Sequence, residues 1–163
     1  MRTLLLTLAL GLFVAPSPAQ KPSTVSPKAT IMNQGKGSFD VAMAPTDHAP
    51  SPGISSMSLD KSYHGDLEGK GKGEMLSAGD PKLGNAGYVA IEMIHGNLNG
   101  KTGGFALMQS ATMATGAPPT MTVTIVPGSG TGELSGIYGS MTITILPGGK
   151  HNFTIDYAFA PKK

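Results

Sequence analysis

From about residue 39 onward, apolar side chains return at every second position and never settle into a helical period. Phe39, Val41 and Met43 alternate with Asp40 and Ala42. Met57, Leu59 and Tyr63 alternate with serines and Asp60, and a glycine-rich stretch follows from Gly69 to Ser77. Tyr88 to His95 is apolar on both faces except for Glu92, and Gly104 to Thr115 comes next. Met121–Ile125, Met141–Ile145 and Phe153–Phe159 each alternate with threonine, asparagine or aspartate. Such a chain can bury one face of a sheet but offers no helix to cover it. With 23 glycines and 13 prolines between the runs, the spacing predicts an all-β domain of about eight antiparallel strands, closed as a sandwich or barrel.

The ends limit where such a domain works. Arg2 precedes an almost unbroken apolar run from Leu4 to Val14, and Ser17-Pro18-Ala19 places small residues before Gln20. That reads as a cleaved secretory signal peptide over 1–19, because about ten apolar residues are too few to span a bilayer. Residues 20–32, rich in Pro, Ser and Lys, read as a disordered leader, 33–160 as the barrel, and 161–163 as a tail. The chain has no cysteine. Disulfides, thiolate chemistry and a lipoprotein anchor are therefore excluded, and the core alone must hold the fold. The product of export is a periplasmic or secreted protein with no membrane anchor. The formal charge of +2 includes Arg2, and a near-neutral domain offers no electrostatic footing for nucleic acid.

Gly65-Asp-Leu-Glu-Gly69, Gly96-Asn-Leu-Asn-Gly100 and Gly132-Glu-Leu-Ser-Gly136 repeat one pattern. They read as corners in which glycine supplies positive φ or a bulge and leucine plugs the end of the core. Asn99-Gly100 suits a two-residue type I′ turn. That turn sets Glu92 opposite Leu107 and Ala90 opposite Gln109. One face of the hairpin then carries Tyr88, Ala90, Glu92, Ile94, Phe105, Leu107, Gln109 and Ala111. The other carries Val89, Ile91, Met93, His95, Ala106, Met108 and Ser110. Two apolar faces need two covers, and a second subunit could be one of them, so a homo-oligomer is expected.

Motifs for cofactors fail on inspection. Asn97–Thr102 ends like a phosphate loop but has His95 where glycine is required, and a strand follows it. Gly128-Ser-Gly-Thr-Gly132 lacks the third glycine of a dinucleotide fingerprint, Glu133 standing there, and no βαβ unit surrounds it. Asn152-Phe-Thr154 matches a glycosylation acceptor of a kind that is usually incidental. His48, His64, His95 and His151 form no paired ligand motif, so no metal or cofactor is expected. Glu92, alone in an apolar strand, is the candidate catalytic residue. It is either paired structurally or held in a cavity with a perturbed pKa. If its face lines the barrel, Tyr88, Gln109, Leu107 and Phe105 share a ligand-binding cavity with it.

Tyr63-His-Gly-Asp-Leu-Glu-Gly69, Gly73-Glu-Met-Leu76, Gly87-Tyr-Val-Ala-Ile-Glu92, Gly103-Gly-Phe-Ala-Leu-Met-Gln-Ser110 and Val126-Pro-Gly-Ser-Gly-Thr-Gly-Glu-Leu-Ser-Gly136 together resemble the bacterial family known as domain of unknown function 3224 (DUF3224). The resemblance runs over roughly 33 to 160, and Pro127–Leu134 is its most specific part. It implies an eight-stranded antiparallel barrel of the allene oxide cyclase type, shared with dirigent proteins. That superfamily guides cyclisation or coupling of small apolar molecules, often as oligomers. The family pattern has glutamate at the position of Glu92 and a polar residue, often histidine, at that of Gln109. Glutamine cannot shuttle a proton, and many relatives are cytosolic, so this chain departs on both points. Fold does not fix activity. Three readings stand: a barrel that binds a small apolar or amphipathic molecule, an isomerase or cyclase using Glu92, and a filled structural module.

Overall fold

The alternating runs pair as antiparallel neighbours around a closed circuit. In the computed structural model, which describes residues 32–161, nine strands form one sheet: β1 (Asn33–Pro45), β2 (Ile54–Gly65), β3 (Leu67–Asp80), β4 (Asn85–Leu98), β5 (Lys101–Ala114), β6 (Ala117–Ile125), β7 (Thr131–Gly132), β8 (Ile137–Ile145) and β9 (His151–Phe159). Their order is β4-β3-β2-β1-β9-β8-β6-β5, and β4 pairing with β5 closes an eight-stranded barrel. The signal peptide expected over 1–19 and residues 20–31 of the expected leader lie outside the described residues, as do 162 and 163.

All eight expected strands are present, most of them longer than the alternation alone indicated. Two elements are additional. A single 3-10 turn, Pro81–Leu83, joins β3 to β4, capped by Asp80 in front and by Gly84 in the left-handed conformation behind. The two-residue β7 lies along β5, continuing the edge that β6 leaves.

The β4–β5 register is the one the Asn99-Gly100 turn requires. Both turn residues have positive φ, 49° and 84°, as a type I′ turn demands, and Leu98 faces Lys101, Glu92 faces Leu107 and Ala90 faces Gln109. Even-numbered β4 residues therefore point inward. Among the described residues the outward row stays open, with Val89, Ile91 and Met108 each more than half exposed.

The two ends of the barrel differ. At one end Leu67, Leu98 and Leu134, the leucines of the three glycine corners, are fully buried among Phe105, Ile137 and Ile155. Each such leucine contributes about 1.5–3 kcal/mol of apolar burial, so this end is a solid plug. The Gly-Ser-Gly-Thr-Gly-Glu segment belongs to the same end and has a structural role. Ser129 Oγ accepts from the Ala106 amide at 2.9 Å, Thr131 Oγ1 from Gly104 at 3.0 Å, and Glu133 Oε2 from Thr102 at 2.9 Å. Three alternate side chains thus satisfy three alternate amides of the β5 edge past the end of β6, where an unpaired buried amide would cost about 1–3 kcal/mol.

At the other end no such plug is formed among the described residues. The β1–β2 loop is tied to the outer wall there: Glu74 Oε1 accepts from Thr46 Oγ1 and His48 Nδ1, both at 2.9 Å, and from Ser56 Oγ.

Candidate functional site

Glycine shapes the interior. The inward positions of β3 run Leu67, Gly69, Gly71, Gly73 and Met75, so the middle of this strand presents no side chain to the core. The flanking strands fill the vacancy. Lys61 on β2 is registered with Gly71, and Glu92 on β4 with Gly73. β2 and β4 are second neighbours, about 10 Å apart at ordinary strand spacing, yet Lys61 Nζ reaches Glu92 Oε1 at 2.8 Å across the bare strand. Tyr63, two residues beyond Lys61, donates its hydroxyl to the same oxygen at 2.7 Å.

The three groups are withdrawn from water: Lys61 is 5%, Glu92 4% and Tyr63 0% exposed. Burial above all, then the negative charge of Glu92, pushes the Tyr63 phenol well above its usual range, so it remains a hydrogen-bond donor. Glu92 Oε2 is buried and has no hydrogen-bond partner among the described residues. It lies against Gly71, where a Cβ would sit 2.8 Å away.

Phe39 links this cluster to the open end. Its ring centre is 4.7 Å from Lys61 Nζ, a cation–π contact, and it stacks on the His151 ring at 4.8 Å and 15°. The stack follows from register, since Phe39 and His151 are cross-strand partners. Burial first, and then the charge of Lys61, holds the His151 imidazole below its ordinary value, with Asp40 pulling the other way.

Above these residues is a chamber of about 180 Å³ whose wall includes Phe39, Leu59, Lys61, Ala90, Gln109 and His151. Met75, Tyr88, Met121, Ile143 and Ile145 line both it and a wider mouth of about 630 Å³ at the unplugged end. The combined space is apolar for most of its depth and polar at its floor.

The expected site residues divide accordingly. Glu92 points inward as its register requires, but its carboxylate is taken by Lys61 and Tyr63 and does not form part of the chamber wall. Tyr88 and Gln109 do line the chamber, and Gln109 Nε2 donates to the Tyr88 hydroxyl. Phe105 and Leu107 are packed in the closed core, with almost no exposure, and do not contribute to the chamber wall. The single polar cluster drawn from the sequence is therefore two, one below the chamber floor and one in its wall. Lys61 and His151 were missed. Lys61 shares the parity of Met57, Leu59 and Tyr63, which was the available signal for an inward side chain. His151 sits at a strand end, and Phe39 beside it draws the ring into the chamber wall.

The sequence matches over residues 35–157 the family described as "Protein of unknown function (DUF3224)". The fold is similar to the crystal structure of a protein with unknown function from the DUF3224 family of Shewanella oneidensis MR-1. The two are 39% identical with a TM-score of 0.72, over 80% of this chain and 100% of that one. No curated protein matches the chain.

Proposed function

The chain belongs to the DUF3224 family, and we propose that it is an exported member that holds a small apolar or amphipathic molecule in the open end of its barrel. The asymmetry of the barrel is the observation that carries this reading. One end is filled by Leu67, Leu98 and Leu134, whereas the other is a lined space that narrows from about 630 Å³ to about 180 Å³. A module whose barrel served only as a scaffold would gain stability by filling both ends, since unfilled apolar volume costs core contacts. An apolar wall with a few convergent polar groups is the common form of a small-molecule site.

The buried Lys61–Glu92–Tyr63 cluster favours a second reading, an isomerase or cyclase acting on such a molecule. In that case Lys61, which meets the chamber, is the group that touches substrate, and Glu92 acts by holding the lysine in place.

Titration with N-phenyl-1-naphthylamine, a neutral dye that brightens in apolar surroundings, tests the binding reading. Saturable enhancement at one dye per chain is expected, reduced by Met121→Trp, which fills the mouth. Absence of saturation, or enhancement indifferent to Met121→Trp, overturns it. For export, N-terminal sequencing of protein from its own host should begin at Gln20; a start at Met1 overturns that part.

A further inference from the structure

We propose that the molecule held in the chamber is an uncharged, largely apolar compound carrying a carbonyl or similar hydrogen-bond acceptor at its leading end, and that Lys61 is the residue that recognises it. The inference rests on the binding reading above and adds the chemical class.

The chamber carries more donors than it uses. The ammonium of Lys61 makes one hydrogen bond among the described residues, to Glu92 Oε1, and so has N–H groups left over. The Tyr88 hydroxyl accepts from Gln109 Nε2 and donates to no group among the described residues. Both residues line the chamber. A hydrocarbon filling this space would leave the remaining Lys61 protons dry and unpaired, which is costly at a site of 5% exposure. A cation would add a second buried positive charge beside a pair that is already neutral, with no partner of its own. An anion would find the charge of Lys61 already matched by Glu92, 2.8 Å away, and would add a second buried negative charge with no partner of its own. A neutral acceptor avoids all three penalties.

Size sets the other limit. The chamber of about 180 Å³ compares with an apolar cavity of about 150 Å³ that holds benzene. It therefore admits a ring-sized group, with the remainder of the molecule in the mouth among Met121, Ile143 and Ile145.

Three probes of matched shape separate the possibilities: 2-acetylnaphthalene, 2-ethylnaphthalene and 2-naphthoate, each measured by calorimetric titration. The wild-type protein should bind the ketone about tenfold more tightly than the hydrocarbon, the gain of one hydrogen bond to a charged donor, and the carboxylate more weakly than the ketone. Lys61→Met alone would strand the buried carboxylate of Glu92, so the test uses Lys61→Met/Glu92→Leu, which removes both charges together. This variant should still bind 2-ethylnaphthalene and should lose the preference for the ketone. Equal affinity for ketone and hydrocarbon, tightest binding of 2-naphthoate, or a ketone preference that survives in the double variant overturns the proposal while leaving the binding reading in place. Failure of all three probes to bind overturns the binding reading and this proposal with it.

Discussion

Lys61 and Glu92 form a 2.8 Å ion pair although their strands do not touch. The residues between them are Gly71 and Gly73, and the absence of two side chains on β3 is what lets a lysine and a glutamate from either side meet inside the barrel. Such a pair is costly to bury, and its mutual attraction offsets that cost only while both members are present.

Removing one member should therefore be worse than removing both. Lys61→Met is expected to lower stability by about 3–5 kcal/mol, and Lys61→Met/Glu92→Leu to fall within about 1 kcal/mol of the wild type or above it. Urea unfolding of the wild type, both single variants and the double variant gives the coupling directly. If the double variant loses the sum of the two single losses, the two residues do not act as a pair.

Gly71 should be intolerant of the smallest side chain. An added Cβ would lie 2.8 Å from Glu92 Oε2 and 3.1 Å from Tyr63 Cε2, with Ile94 Cγ1 at 3.4 Å. Neither near atom can withdraw without breaking the hydrogen bonds at Glu92 Oε1. Gly71→Ala is expected to cost about 1–3 kcal/mol by overpacking. In a Lys61→Met/Glu92→Ala background the colliding carboxylate is gone, and most of that cost should disappear. A penalty unchanged between the two backgrounds in thermal melts would place the clash elsewhere.

These two cases also mark how far the sequence could be read. Alternation is local, so the strands were legible from residues such as Phe39, Val41 and Met43. The Asn99-Gly100 turn then set Glu92 against Leu107 without any knowledge of the remaining strands. The corner leucines were legible for the same reason, since each lies between its own glycines. The partner of Glu92 was not. It depends on β2 lying two strands away and on β3 being bare between them, and that is a property of strand order. Ser129, Thr131 and Glu133 make a similar point: their glycine neighbours suggested a corner, but the amides they satisfy are 23 to 31 residues upstream, and only the closed barrel brings them together. Tyr88 and Gln109 were placed on one face correctly. They do not join Glu92, whose carboxylate turns to β2, where Lys61 matches its charge and Lys61 and Tyr63 both donate to Oε1.

Acid should destabilise the protein in two stages. The folded state holds His151 below its ordinary 6.5, chiefly through burial and then the charge of Lys61. As pH falls through 6.5 the unfolded chain takes a proton that the folded chain resists, so stability declines. Glu74 is held below its ordinary 4.5 mainly by the Ser56 hydroxyl, then by Thr46, with His48 adding a smaller part. Its contribution is present above 4.5 and is lost as the pH drops further. Urea midpoints from pH 8 to pH 3 should show both declines. His151→Gln should remove the upper one and Glu74→Gln the lower one. An unchanged slope between pH 7 and pH 5 in His151→Gln would exclude the histidine as its source.

The mouth has a structural weak side, and it should be visible in amide exchange. β8 is registered with β9 along its whole length, from Ile137 opposite Phe159 to Ile145 opposite His151. Against β6 it has a single registered pair, Thr124 with Ser140. Beyond that pair, toward the open end, Pro118 and Pro119 supply no amide hydrogen, and the strands part where Met121, Ile143 and Ile145 line the mouth. Backbone groups on the facing edges of β6 and β8 therefore lack the ladder that protects β3 and β4. Their amides, over 120–123 and 141–145, are expected to exchange well before those of 70–75 and 90–95, through local opening that leaves the rest of the barrel intact. N-phenyl-1-naphthylamine seated in the mouth should slow exchange on these edges and leave the plugged end unchanged. Uniform protection around all eight strands would mean that β6 and β8 close as tightly as the rest and that the mouth is rigid on every side.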